Sequence, residues 1–413
     1  MNGVSGNPPE AQSPANMSAA LWVVAAAVGA ALHIGKLPPA LPVLERELGI
    51  SLVQAGFLLS LVQLAGMMLG LVTGLAVQRV GLRRSMVAGL LLLGCASGLG
   101  ALADNATWLL VTRGLEGLGF LWVVLPGPGM LRRLVPAKRI NSMLGVWGTY
   151  MPTGTSMALL LGPWVMLLAS AQIGWRIWWS VLAAVALGFA LLLLWRVPAD
   201  PPAGNSTAFS PGANTASVRL LFLTLRSPPV WLVALTFCVY SGQWLAVIGF
   251  LPSIYAKAGI ASATAGWLTA LAAALNMVGN LAAGRLLERG VKPIALLATG
   301  FTAMAGGAML AFGIGTSLRW QFTAVLLFSM VGGLIPATLF SLGLRLAPHP
   351  AAVSATVGWM QQWSSAGQFA VPPLVAWVAV HAGGWQGTGW ISVALSVAGL
   401  ALALRIKREL ERR

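Results

Sequence analysis

Twelve long apolar runs, separated by short clusters of charge, proline and glycine, dominate this 413-residue chain; they lie at about 18–44, 52–77, 85–103, 107–130, 141–168, 174–195, 228–254, 262–284, 293–315, 320–343, 352–380 and 386–404. Each is long enough to cross the roughly 30 Å hydrocarbon core of a bilayer as a helix. Lipid offers no partner for a backbone N–H or C=O, so an open chain that spans it must be helical. Composition agrees, with 58% hydrophobic and 8% charged residues against about a quarter charged in an ordinary soluble domain. The sequence therefore predicts an all-α polytopic membrane protein of twelve transmembrane helices and excludes a soluble globular enzyme.

The charge that remains is lopsided, with 25 Lys+Arg against 9 Asp+Glu and a formal net charge of +16. With the loops assigned alternately to two sides, Arg79, Arg83, Arg84, Arg132, Arg133, Lys138, Arg139, Arg196, Arg219, Arg226, Arg285, Arg289, Lys292, Arg345, Arg405, Lys407, Arg408, Arg412 and Arg413 fall together. Only Arg46, Arg176, Lys257 and Arg319 fall opposite, and Lys36 and Arg113 lie inside runs. Basic loops are retained in the cytoplasm, so both termini are expected there, and topology accounts for the excess without a nucleic-acid partner. Residues 1–17 hold no basic residue, so the first run reads as a spanning helix rather than a removable signal. Cys95 and Cys238 sit singly in apolar runs and no phosphate loop occurs, so no disulfide, metal site or cofactor is expected.

The stretch VPADPPAGNSTAFSPGANTASVR, residues 197–219, has no apolar periodicity and reads as a flexible link. It divides the chain into an N-terminal tail (1–17), six helices (18–196), a cytoplasmic linker (197–225), six more helices (226–404) and a basic tail (405–413). The two sets are related. Leu41-Pro42 and Gly49-Ile50 recur as Leu251-Pro252 and Gly259-Ile260, and Ala55-Gly56-x-Leu58 as Ala265-Gly266-x-Leu268. With one residue lost, Gly70, Gly81, Arg83 and Pro163 correspond to Gly279, Gly290, Lys292 and Pro372. Two related six-helix bundles in the same orientation are the parallel-repeat plan of transporters.

The link between the second and third runs, Gly74-Leu-Ala-Val-Gln78-Arg79-Val-Gly81-Leu-Arg83-Arg84, resembles the signature G-x-L-A-D-R-x-G-R-K of the major facilitator superfamily, with Gln78 at the acidic position. The fourth run carries Arg113-Gly-Leu-Glu116-Gly117-Leu-Gly119, similar to that family's R-x-x-Q-G-x-G, and the fifth ends in Gly162-Pro163, a fragment of its antiporter pattern. Lys36-Leu-Pro-Pro-Ala-Leu-Pro and Gly145-x-Trp147-Gly-Thr-Tyr150-Met-Pro152 look like bacterial members of the cyanate/nitroimidazole transporter type. The resemblance implies two bundles rocking about a cavity lined by the first, fourth, seventh and tenth helices, in a monomer of the bacterial inner membrane. It also implies a gating role for Gly74, Gln78, Arg79, Gly81, Arg83 and Arg84.

Charge inside a bilayer is expensive, so His33 and Lys36 in the first run and Arg113 and Glu116 in the fourth are the leading candidates. Each pair is spaced i, i+3 and shares a helix face. Counting 1.5 Å per residue from Glu45 and Asp104 puts both cations about 13 Å from the outer boundary. Two cations at one level with a single acid favour an anionic substrate, with Arg113 as a fork and Lys36 as a point charge. His33 or Glu116 would then take a coupling proton. The structural alternatives are a neutral Arg113–Glu116 pair, a Lys36 that snorkels to the outer interface, and a packing role for His33.

The second half offers polar and aromatic faces at Tyr240, Gln243 and Trp244 and at Trp359, Gln362 and Trp363, and the fifth run adds Trp147 and Tyr150; each is a pocket-lining candidate with helix packing as the alternative. Trp108, Trp175, Trp195, Trp231 and Trp320, at run ends, are expected in the interfacial belts. Taken together these features describe a proton-coupled carrier of a small anion, with efflux of lipophilic or cationic drugs as the rival. No nucleophile–base set suggests an enzyme. Alkaline phosphatase fused after Arg413 is expected to stay inactive while a green fluorescent protein fused there fluoresces; the opposite pattern would invert the orientation.

Overall fold

The computed structural model describes residues 16–49, 52–168, 171–200, 211–257, 259–260, 262–313, 317–381 and 384–412. The first half contains α1 (Met17–Gly35), α2 (Leu37–Leu48), α3 (Leu52–Val80), α4 (Leu82–Ala101), α5 (Ala106–Val124), α6 (Gly127–Leu134), α7 (Ile140–Gly148), α8 (Tyr150–Leu167) and α9 (Ala171–Arg196). After α10 (Pro211–Leu225) the second half runs through α11 (Pro228–Lys257), α12 (Ser262–Glu288), α13 (Pro293–Ala308), α14 (Leu318–Gly332), α15 (Leu334–Leu346), α16 (Val353–His381) and α17 (Gln386–Glu411). Among the described residues, all twelve apolar runs fall mainly on helix. Among the described residues nine helical spans are long and apolar enough to cross a membrane. The other three runs are α3, whose described apolar stretch is Leu61–Gly74, the α7/α8 pair, divided at Thr149, and α16, which carries Gln361, Gln362, Ser364, Ser365 and Gln368.

Four divisions within runs share one cause. α1 ends at Gly35, α5 at Val124, α7 at Gly148 and α14 at Gly332, and each end lies four residues before a proline: Pro39, Pro128, Pro152 and Pro336. A proline has no N–H, so the carbonyl four residues earlier loses its helical donor and the helix breaks or bends there. Polar carbonyls are thereby released inside the bundle, where side chains can reach them.

The internal repeat survives in the backbone. The positive-φ residues among those described are four glycines: Gly49 (59°), Gly81 (101°), Gly259 (76°) and Gly290 (85°). They form two pairs related by the sequence repeat, each pair at the same helix-to-helix turn in its half. The left-handed conformation disfavours any residue with a Cβ, so each turn holds its glycine for the same steric reason.

The structure departs from the sequence expectation at the chain's two polar segments and at one belt residue. Pro211–Leu225, expected as part of a flexible link, is helix, and residues 405–411, expected as a tail, continue α17. Residues 201–210 lie outside the described residues. Trp108, Trp195 and Trp320 are exposed as belt residues should be, whereas Trp175 is fully buried, its indole N–H donating to Glu47 Oε2 at 2.8 Å.

The halves meet along α3 against α16 and along α7 and α8 against α12. Toward the end that carries the basic loops, both crossings are floored by glycine. A Cβ built on Gly358 would lie 3.2 Å from the Gly74 Cα, and one built on Gly284 would lie 3.1 Å from the Gly145 Cα. Hydrogen bonds reinforce the closure: the Ser142 amide to Glu288 Oε1 (2.9 Å), Ser142 Oγ to Glu288 Oε2 (2.5 Å), Ser341 Oγ to Asn141 Oδ1 (2.7 Å) and the Leu71 amide to Gln362 Oε1 (3.0 Å). Gly358→Val is expected to prop this end open. Maleimide labelling of a Ser142→Cys reporter, in a background without Cys95 and Cys238, should then rise about tenfold from the basic-loop side, as expected for a shifted two-state equilibrium.

Candidate functional site

The intramembrane charges form one cluster inside the first half. Lys36 sits at the break between α1 and α2, Arg113 and Glu116 share a face of α5, and all three are at most 2% exposed. Lys36 Nζ donates to Glu116 Oε1 at 2.5 Å and to Ser97 Oγ of α4 at 3.0 Å. Arg113 Nη1 donates to Glu116 Oε2 at 2.7 Å, so the carboxylate is held on both oxygens by two cations. Backbone carbonyls beside the break between α1 and α2 act as acceptors: Arg113 Nη1 also reaches the His33 carbonyl at 2.6 Å, and the Lys36 carbonyl accepts from Trp178 Nε1 at 3.2 Å. Arg113 Nε donates to the Leu58 carbonyl at 3.1 Å. The Lys36 ammonium lies 4.5 Å from the centre of the Trp179 ring, a cation–π contact. The formal charge of the cluster is +1. His33 is 1% exposed and faces the Leu182 backbone, with neither ring nitrogen in a hydrogen bond of normal geometry.

A cavity of about 50 Å³ lies between the halves, lined from the first by Gln63, Phe120, Tyr150 and Met151 and from the second by Phe237, Tyr240, Trp244, Asn276, Phe340, Gln361 and Gln368, among others. None of its lining residues is charged. An amide chain crosses the boundary: Gln63 Nε2 donates to Gln368 Oε1 at 3.1 Å and Ser365 Oγ to Gln63 Oε1 at 3.3 Å. In the second half Asn276 Nδ2 donates to Tyr240 Oη at 3.1 Å and to the Ser329 carbonyl at 2.8 Å, and Trp244 Nε1 donates to Ser329 Oγ at 3.1 Å. The remaining polar wall groups are the Gln361 amide and the hydroxyls of Tyr150, Ser241 and Ser364. Phe120 is one helical turn from Glu116, about 6 Å along α5, so the ion cluster lies just beyond the cavity wall, away from the basic loops.

A model of the Major Facilitator Superfamily matches residues 21–372. The chain belongs to that superfamily. It is 27% identical over 249 residues to the cyanate transport protein CynX of Escherichia coli (strain K12), a match that spans 60% of this chain and 60% of that one. It is 28% identical over 240 residues to the 2-nitroimidazole transporter of the same strain, spanning 56% of each chain. The chloramphenicol resistance protein of Streptomyces lividans is 27% identical over 370 residues, 88% of this chain and 89% of that one. Among solved structures a point variant of the E. coli fucose:proton symporter superposes with a TM-score of 0.75 at 18% identity, covering 94% of this chain and 98% of that chain. The human organic anion transporter MFSD10 gives 0.76 at 16% identity, covering 96% and 100%.

Within this superfamily member, the candidates named from sequence separate. Tyr150, Tyr240 and Trp244 line the cavity. Lys36, Arg113 and Glu116 are brought together, and His33 lies beside them, but none lines the cavity. Gln243 turns to α17, accepting from Ser396 Oγ at 3.2 Å. Gln362 bonds the Leu71 amide of α3, Trp147 is fully buried 4.9 Å from the Tyr150 ring, and Trp359 and Trp363 pack on Trp231 at 4.8 and 5.6 Å. Sequence reasoning missed Gln63, Asn276 and Gln368, whose one signal was an amide inside an apolar run.

The signature loop follows the same logic. Gly74 floors the α3/α16 crossing and Gly81 makes the left-handed turn into α4. The side chain of Gln78 lies outside the described residues, and Arg79 is exposed. The acid of this loop comes instead from Asp200, just past α9: its carboxylate accepts from the Arg83 and Arg84 amides at 3.0 Å each and pairs with Arg133 at 3.1 Å. Arg83 in turn reaches α9, its side chain bonding the carbonyls of Leu193 and Leu194. Helix α4 thus gains an acid at its N-terminus and α9 a cation at its C-terminus, both favourable to the helix dipole.

Removing one partner of a buried ion pair leaves an uncompensated charge and costs about 3–5 kcal/mol. Glu116→Ala, which strands two cations, is expected to lower the melting temperature of the purified protein far more than Lys36→Met, which leaves the neutral Arg113–Glu116 pair. Equal shifts in a detergent melting assay would mean that the cluster is not coupled.

Proposed function

We propose that this protein is a secondary active carrier that moves a small planar solute, preferentially a singly charged anion, through the cavity between its two halves by alternating access. One observation carries the reading: the cavity wall is built by both halves and holds no charged side chain, while a formal +1 lies one helical turn beyond Phe120. A flat solute matches the aromatic faces of Tyr150, Tyr240 and Trp244 and the amides of Gln63, Asn276 and Gln368. In a low-dielectric interior a nearby buried positive charge biases such a site toward anions without a direct contact. Cyanate and 2-nitroimidazole, for which two relatives are named, are small and flat.

The basic loops, and with them both termini and the 197–225 linker, are assigned to the cytoplasm of a bacterial inner membrane, so the glycine-floored closure is the cytoplasmic gate. Six helices on each side of the pathway come from one chain, which suits a functional monomer. Coupling to protons is assigned to Glu116 and His33. Protonation of Glu116 releases both cations from their shared acceptor, and a loosened α1/α5 contact is the conformational signal. A second reading, efflux of a neutral or cationic drug, draws on the uncharged aromatic wall and on the chloramphenicol resistance relative.

Counterflow in proteoliposomes separates the two readings. Cyanate, nitroaromatic anions and small carboxylates are expected to exchange saturably while quaternary cations do not; flux of cations alone would sink the anion proposal. Trp244→Ala should raise the half-saturating concentration about tenfold, the scale of a lost ring contact of 1–1.5 kcal/mol. Glu116→Gln should keep counterflow but lose accumulation driven by a pH gradient.

A further inference from the structure

A second groove, larger than the central cavity, lies elsewhere on the molecule. It opens at the basic-loop end of the second half, with a volume of about 670 Å³, between the start of α11 and the end of α17. Leu225, Pro228, Trp231 and Leu232 form its apolar floor, and Arg226, Arg405, Arg408 and Arg412 its rim, with Glu409 as the one acid. Glu409 is taken by Arg412 at 3.2 Å. Among the described residues Arg226, Arg405 and Arg408 form no ion pair, and all three are exposed.

Positive-inside topology explains why arginines lie at this end and does not explain why they converge on a groove. On α17, Ala403 and Ile406 are buried against the bundle, so Arg405, Arg408 and Arg412, spaced i, i+3 and i+7, share the opposite face. That face continues a stripe of exposed apolar residues along the same helix: Trp390, Val397 and Leu404 at 65%, 58% and 59%. Beside the groove α10 exposes Val218, Phe222 and Leu223, and the Arg226 guanidinium lies 5.8 Å from the Phe222 ring centre. The groove therefore has exposed apolar side chains along its edges and cations at its mouth.

We infer that this groove binds an anionic phospholipid, with the phosphate held by Arg226, Arg405 and Arg408 and the acyl chains against Leu225, Leu232 and the α17 stripe. Guanidinium forks match phosphate oxygens, and basic pockets between spanning helices are suited to acidic headgroups. Occupancy would act on transport through Trp231, whose ring packs on Trp359 and Trp363 of α16 and whose indole N–H holds the Leu225 carbonyl at 2.7 Å. That joins α11, which carries Tyr240 and Trp244, to α16, which carries Gln361 and Gln368.

Native mass spectrometry of the full chain, delipidated and titrated with phosphatidylglycerol, cardiolipin or phosphatidylethanolamine, tests the inference. The anionic lipids are expected to bind at least about tenfold more tightly than phosphatidylethanolamine and to raise the melting temperature, as ligand linkage requires. Arg226→Gln/Arg405→Gln/Arg408→Gln should remove that preference, while Arg285→Gln/Arg289→Gln/Lys292→Gln, with the same charge change at the same end, should keep it. Equal loss in both triples would overturn the site in favour of diffuse charge. Competition by millimolar inorganic phosphate as strong as that by the lipid would overturn a lipid in favour of a free anion. The single Arg408→Gln variant, with partial loss expected, stands in if the groove triple fails to elute as a monodisperse peak.

Discussion

The first half of this superfamily member is organised around one carboxylate. Glu116 lies in a site with 1% exposure, and both of its oxygens are taken by cations from different helices. Burying such charges is unfavourable unless every one is answered, so the helices that supply the answers cannot drift apart singly. α1 brings Lys36 and a free carbonyl, α3 the Leu58 carbonyl, α4 Ser97, and α9 the Trp178 and Trp179 rings. Two of the first half's cavity-wall residues, Gln63 on α3 and Phe120 on α5, ride on helices that this cluster ties together. A half-bundle tied in this way keeps its helices together, as the rocking proposed above would require.

The second half answers the same packing problem without charge. At the position corresponding to Lys36 it has Ala246, 1% exposed, and at that of Arg113 it has Phe322, 6.4 Å from the Tyr255 ring. Its buried polarity lies deeper, in the Tyr240–Asn276–Ser329–Trp244 network at the cavity itself. The paired glycine turns show that the two halves share a backbone plan. Their interiors have diverged into an electrostatic half and a hydrogen-bonding half, and the cavity lies where the two kinds of polarity meet.

Much of this was legible in the sequence because a helix rises by a constant amount per residue. Counting from the loops put Lys36 and Arg113 at one level, and they do share an acceptor. Rotation about the axis was not legible. These helices are apolar nearly all round, so no stripe says which face meets which neighbour; Trp244 looks into the cavity while its neighbour Gln243 looks at Ser396. Position along a run misleads for the same reason, as Trp175 shows, buried by a bond to Glu47 rather than resting in a belt. Asp200 was hidden differently: it caps α4 across more than 110 residues of chain, a contact that local motif spacing cannot contain.

The glycine crossings have a mechanical consequence. Where Gly74 faces Gly358 and Gly145 faces Gly284, backbone rests on backbone, with few side chains meshed between. Such a joint behaves like two flat flanges rather than interlocked teeth: it parts without repacking rotamers and reseats in the same register. The few hydrogen bonds across it, such as Ser142 to Glu288, then act as latches on a smooth seam.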